Sequence, residues 1–346
     1  MLGLDRRTLN VVWTVFLFAL LLGAIYEVRH TLVIFGLALF FAQVLAPIVE
    51  FAERFVHGRM PRTAVLALVY VLLIAILVSA TIPIGARIAE EAAHLASRLP
   101  AAMQQEDPLS HLPLPAWLDP IRPKLLSVIR DRVDDLDQQV LPLLSEAGGR
   151  ILSGIGNVLL VILIPILSFF FLKDGASMQG AIVEAVNSRQ RGVVDDIFSD
   201  LHLLLAQYIR ALVLLSLATF VFYFGGLSLL SAPYAILLAG IAAILEFIPL
   251  VGPLTASIVI VLVAAFTGYP HLLWIVIFLV VYRIFQDYVL SPYLMSSGVE
   301  IHPMLVLFGV LAGEQLAGIP GMFFSVPIMA ALRVIYVRLR KGRRAA

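Results

Sequence analysis

The sequence predicts an all-α, polytopic membrane bundle whose C-terminal half carries two re-entrant helical hairpins. Three observations predict it. Of 346 residues, 61% are hydrophobic and only 14% charged, where a soluble domain carries about 25% charged residues. The mean hydropathy is +1.00, and the apolar residues come in long blocks; about 20 helical residues cross a hydrocarbon core of about 30 Å. Finally, two pairs of short apolar runs near the C-terminus are each split by proline and glycine.

Full spans read at 9–26, 31–49, 64–86, 151–172 and 205–230. Arg6 and Arg7 precede the first, as in a signal peptide, but residues 27–30 offer no small-residue cleavage site and a second apolar block follows at once. The reading is an uncleaved first span. Basic residues near short loops set orientation. Arg6, Arg7, Arg54, Arg59 and Arg62, and the tail residues Arg338, Arg340, Lys341, Arg343 and Arg344, all fit a cytoplasmic side. Both termini are then cytoplasmic, in an inner (plasma) membrane.

The chain divides into 1–86, N-terminal spans; 87–150, an extracytoplasmic helical segment; 151–204, a span plus a cytoplasmic amphipathic stretch; and 205–346, a C-terminal transport region with a basic tail. Residues 87–99 are amphipathic. A proline-rich linker follows, with Pro108, Pro113, Pro115, Pro120 and Pro123. Then Ile121, Leu125, Val128, Ile129, Val133, Leu136 and Val140 recur at helical spacing. That helix packs on a partner subunit, or lies on its own membrane domain or at the headgroups. Lys173-Asp174-Gly175 marks the exit of the fourth span to water, and the remainder to 204 reads as an interfacial helix.

The region 231–337 carries the functional signal. Apolar pieces 234–248 and 253–268 flank Ile248-Pro249-Leu250-Val251-Gly252-Pro253. Pieces 303–319 and 321–337 flank Gly318-Ile319-Pro320-Gly321, with 271–290 as a span between the pairs. Proline removes a backbone donor and glycine weakens a helix. Unwound backbone at membrane depth must face protein, water or substrate. Interrupted hydrophobic segments in matching positions are a pointer to a transporter's binding site. Ten full crossings would place the tail on the same side as two hairpins do, so parity does not separate the two topologies.

Charge inside apolar helices is costly, so Glu246, Arg283, Asp287 and Glu314, with Gln286 and Gln315 beside them, are candidate pathway residues. The breaks add Pro249, Gly252, Pro320 and Gly321. Arg283 and Asp287 share a helix face; they either neutralise each other or contact substrate. Glu246 and Glu314 stand just before the two breaks. Each either carries a proton or cation or bonds orphaned backbone. Gly309 and Gly313 form a small-residue step, extended by Ala317, that serves close packing or a sliding surface. His271 and His302 sit at helix starts and read as capping or interfacial residues rather than metal ligands.

Net charge is +1 and no basic–aromatic cluster occurs, so no nucleic-acid partner is expected. There is no cysteine, hence no disulfide or thiol chemistry. No Walker, HExxH or GxSxG motif is present, and Gly154-Ile155-Gly156 lacks the context of a dinucleotide fingerprint. The chain reads as a non-enzyme without cofactor or metal. Active transport would then couple to an ion gradient.

Several segments resemble the autoinducer-2 exporter (AI-2E) family of membrane permeases, over most of the chain and most strongly from about 200 to 337. The carrying residues are Phe247-Ile248-Pro249-Leu250-Val251-Gly252-Pro253, Gln286-Asp287-Tyr288-Val289-Leu290-Ser291-Pro292, Ile301-His302-Pro303, the run GEQLAGIPG from Gly313 to Gly321, and Val326-Pro327. The aromatic run Phe169-Phe170-Phe171 before a charged turn is similar to the family's. Tyr208-Ile209-Arg210 is too, although Ala211 stands where the family has glycine. The resemblance implies a homo-oligomer, a pentamer, and export by an elevator-like motion of the C-terminal hairpins. It leaves cargo divided between the quorum-sensing signal autoinducer-2 and sodium–proton exchange.

The expected function is a secondary transporter exporting a small polar solute such as autoinducer-2. The alternatives are a monovalent cation–proton antiporter, motivated by carboxylates in apolar surroundings where proton exchange is favoured, and a membrane scaffold acting through 87–150.

Overall fold

The computed structural model describes residues 6–56, 60–103, 158–188, 190–294 and 302–345. Every regular element among them is helical: α1 (Arg6–Glu27), α2 (Arg29–Val56), α3 (Arg62–Met103), α4 (Val158–Ala185), α5 (Arg191–Leu229), α6 (Ala235–Leu245), α7 (Val251–Phe266), α8 (Leu272–Phe285), a π-helical segment (Gln286–Leu290), α9 (Ser291–Leu294) and α10 (Pro303–Ala345). Among the described residues, six segments are long and apolar enough to cross a membrane: Asn10–Glu27, Arg29–Val56, Ile162–Ala185, Arg191–Leu229, Leu272–Leu294 and Pro303–Arg340. The proline-rich linker, the helix expected through 121–140, the Gly154–Gly156 pair and Arg59 lie outside the described residues.

The chain forms two compact units. The first gathers residues 1–42, 163–197 and 301–346. Here α1 is apolar on all sides and exposed on all sides, with Trp13, Phe16 and Phe18 outward. A helix of that kind needs lipid or a membrane partner around it. Packing in this unit is aromatic. Phe40 meets Phe323 edge-on at 4.9 Å, Phe35 meets Phe171 at 6.0 Å, and Phe324 lies over Gly36, where an added Cβ would sit 3.0 Å from the ring. Small residues let such rings approach the backbone. Lys173-Asp174-Gly175 does not end α4, which runs on to Ala185 before a short turn into α5. Arg191 closes that turn by donating to the carbonyls of Val186 and Glu184, at 3.2 and 3.0 Å. Residues 173–204 are therefore made of the end of α4, this turn and the start of α5. Arg338 near the end of α10 pairs with Asp196 at 2.9 Å.

Within the same unit, α10 is not a straight rod. Ala317 and Gly318 leave helical geometry, Gly318 with φ +62° and ψ −142°. A Cβ on Gly313 would sit 2.3 Å from the Gly321 carbonyl oxygen, and one on Gly309 would sit 3.4 Å from Ser325 Cβ. In a continuous helix those pairs would be about 12 and 24 Å apart. The two arms therefore fold back on each other about residues 317–318. The sequence placed the break at 318–321; Pro320 instead opens the second arm, where its missing N–H and fixed φ suit a helix's first turn.

The second unit holds residues 43–162 and 198–300. Its core joins the far end of α3 (Ala92, Leu95), the end of α5 (Tyr223, Leu227), α6, α7 and α8, with Leu227, Ala239, Ile260 and Ile275 fully buried. Close packing rests on small residues. Phe278 of α8 fills the space a Cβ on Gly226 would need, and Ile88 of α3 lies against Gly240 of α6. The amphipathic stretch 87–99 is the continuation of the third span, and α3 packs on α6 and α7.

Candidate functional site

α6 and α7, of 11 and 16 residues, pack together as a helical hairpin joined by residues 246–250. Each is too short for a full crossing, at about 16 and 24 Å. The turn is tight. Ile248 N–H donates to the Leu245 carbonyl at 2.9 Å, and Gly252 N–H to the Ile248 carbonyl at 3.0 Å. Leu250 has φ +63°, an uncommon conformation for a residue with a Cβ. Gly252 is obligatory: a Cβ there would lie 1.7 Å from the Leu245 carbonyl oxygen. Pro249 is half-buried at the apex.

Glu246 ends α6 and is only 8% exposed. Its carboxylate accepts from Thr219 Oγ1 at 3.1 Å and from Gln286 Nε2 at 2.5 Å. Thr219 Oγ1 also lies 2.9 Å from Tyr282 Oη. Tyr223 stacks edge-on against Tyr282 with ring centres 5.0 Å apart, and Ser216 donates to the Ala243 carbonyl at 2.7 Å. A polar cluster built from α5, the hairpin and α8 therefore encloses one carboxylate. Its donors are neutral, which distinguishes it from a buried ion pair.

Gln286 is 3% exposed and opens the π-helical segment. Such segments widen the backbone turn and are frequent at functional sites. Arg283, three residues earlier, donates to Asp287 at 2.9 Å. Both are partly exposed, and the shared helix face that the spacing predicts brings them into an ion pair. Arg283 Nη1 is buried with no hydrogen-bond partner.

Glu314, Gln315, Pro320 and Gly321 belong to the α10 hairpin of the first unit. Glu314 and Gln315 are exposed beside the 317–318 turn, and Gly321 backs onto Gly313. Glu246, Pro249, Gly252, Arg283, Gln286 and Asp287 belong to the second unit. His302 accepts from Met304 N–H at 3.2 Å, as a capping residue does. His271 precedes α8 without capping it and packs edge-on against Tyr269.

Sequence reading missed Thr219, Tyr282, Tyr223 and Ser216. A signal existed: Ser216, Thr219 and Tyr223 recur at helical spacing, so one face of an otherwise apolar span is polar. It also missed Glu91, whose carboxylate accepts the Leu237 N–H at 3.0 Å and so caps the start of α6 from another helix. Beside it, His94 Nδ1 lies 3.2 Å from Tyr234 Oη.

Six helices long and apolar enough to cross a membrane among the described residues, one of them exposed on every side, define a multi-pass membrane protein. Residues 15–341 match the sequence profile described as AI-2E family transporter, and the chain belongs to that family of membrane transport proteins. It is 26% identical over 316 residues to a provisionally named transport protein of Bacillus subtilis (strain 168), YueF, covering 89% of this chain and 86% of YueF. It is 27% identical over 207 residues to the transport protein MJ1177 of Methanocaldococcus jannaschii, also provisionally named, covering 58% and 61%. A provisionally named permease of Escherichia coli (strain K12), PerM, is 25% identical over 178 residues, covering 51% and 50%. The last two matches span less than two thirds of those relatives.

Proposed function

We propose that this chain is a secondary transporter that exports a small polar solute, such as autoinducer-2, across the inner membrane, with both termini cytoplasmic. The carrying observation is the α6–α7 hairpin, whose proline–glycine turn starts from a buried carboxylate held by neutral hydrogen-bond donors. In this reading both hairpins re-enter the membrane; for the first, arms of 11 and 16 residues are too short to cross it. Polar turn backbone at that depth needs a guarded path rather than lipid. The hairpins move as bodies to expose a site first to one side and then the other, as in an elevator, within a homo-oligomer that the family resemblance makes a pentamer. In the second unit the candidate pathway residues are Glu246, Pro249 and Gly252 of the hairpin, with Gln286 beside them; in the first unit they are Glu314, Gln315, Pro320 and Gly321. The Arg283–Asp287 pair flanks the first group.

A second reading is cation–proton antiport. The observation that favours it is again Glu246, a buried acid without a cation bonded to it.

Flux in sealed proteoliposomes tests both readings, using labelled autoinducer-2 and other small polar solutes with and without imposed proton or sodium gradients. Export predicts saturable, gradient-sensitive movement of at least one solute. Antiport predicts sodium-driven proton movement with no organic cargo. A folded, reconstituted protein that moves neither solute nor ions would rule out both.

A further inference from the structure

We propose that Glu246 is the proton-binding group of this transporter, and that Tyr282, Thr219 and Glu246 form a hydrogen-bond relay that reverses direction with the charge on the carboxylate. The inference rests on the transport reading above and gives it a coupling ion.

The geometry carries it through donor and acceptor counting. A hydroxyl has one hydrogen to give and lone pairs to receive; an ionised carboxylate only receives. With Glu246 ionised, Thr219 donates to Oε2 and Tyr282 donates to Thr219, while Gln286 donates to Oε1. When a proton arrives from water it forms a new O–H bond on Oε2, and no other covalent bond changes. That O–H donates to Thr219 Oγ1, the Thr219 hydrogen rotates to Tyr282 Oη, and the Tyr282 hydrogen turns to another acceptor. Oε1 stays an acceptor, so the Gln286 bond survives in both states. Every carboxyl oxygen is satisfied whether the group is charged or neutral.

A buried carboxylate serving only the fold is expected to be pinned in its ionised form by a cation, or to bond backbone donors. Glu246 does neither through the bonds just described. The charged groups that face it are Arg283 and Asp287, which bond each other. From α5 it meets Thr219, with Tyr223 close by; neither is charged. α6 and α7 contain no titratable side chain. Glu91 and His94 of α3 serve the opposite end of α6, about 13 Å along its axis. Glu246, Arg283 and Asp287 together carry one net negative charge, which a single proton cancels. The acid also stands at the hairpin turn and is bonded to Gln286, where the π-helical segment begins, so its charge state bears on the contact between hairpin and α8.

The test is pH-difference infrared spectroscopy on the whole chain in lipid, reading the C=O stretch of protonated carboxyl groups. The wild type should show a reversible band that Glu246→Gln removes. Thr219→Val should move its midpoint by about one pH unit or more, as loss of a hydrogen bond to a charged group does, and Thr219→Ser should restore it. A band that persists in Glu246→Gln overturns the proposal. So does a midpoint unmoved in both Thr219→Val and Tyr282→Phe, which decides the matter even if Glu246→Gln fails to fold. A signal that follows sodium at fixed pH also overturns it. Solute flux in the same preparations separates the two levels. Flux without a titrating band overturns the proton site and leaves transport standing. A titrating Glu246 without flux upholds the proton site and overturns the transport reading.

Discussion

Gly252 and Gly318 answer to different constraints. At Gly252 the obstacle is space: a methyl group would strike the Leu245 backbone oxygen, which cannot swing away as a side chain can. At Gly318 nothing lies within 4 Å of the missing Cβ, and the constraint is the backbone conformation itself. Gly252→Ala should therefore cost about 3 kcal/mol, as overpacking against rigid backbone does. Gly318→Ala should cost about 1–3 kcal/mol through strain alone. Thermal unfolding in detergent checks both; equal, negligible losses would mean the turns are not built as described. Glu246 and Gln286 were legible in the sequence because an acid or amide inside an apolar helix is conspicuous. Thr219 lies on a polar helix face that the sequence displays, but its pairing with Glu246 was not legible, nor was Tyr282, because joining residues 27 and 36 positions away from Glu246 depends on how three helices pack.

Among the elements, the hairpins were readable from proline and glycine, and the exact site of the second turn was not. Pro320 marks a break in sequence but is tolerated at the start of the second arm, so the turn falls at Ala317–Gly318. The cysteine-free chain allows a direct check. Gly309→Cys with Ser325→Cys places two Cβ atoms 3.4 Å apart, close to disulfide spacing. Mild oxidation should cross-link them within one chain. A straight 43-residue helix would hold them about 24 Å apart and give no cross-link. The capping of α6 by Glu91 predicts a smaller effect: Glu91→Ala should destabilise the hairpin by about 1 kcal/mol, read as faster hydrogen exchange at the first amides of α6. This cap was illegible because it reaches across 146 residues.

At the scale of the whole molecule, composition and block length settle the helical membrane class, and the order of motifs settles the family. The two compact units were not legible. Each is assembled from separated stretches of chain, and α2, α4 and α5 each contribute to both. Hydropathy reports which segments are apolar, while long-range packing decides which of them cluster. The transport proposal belongs to this scale and turns on whether the hairpin tips meet water. Leu250 and Ile319 are both exposed at the turns. The most direct measurement labels single cysteines at those two positions, in sealed vesicles, with a membrane-impermeant thiol reagent. The account predicts that both react and that transported solute slows the reaction. Cysteines that react only with a lipid-soluble reagent, or at a rate indifferent to solute, would contradict it.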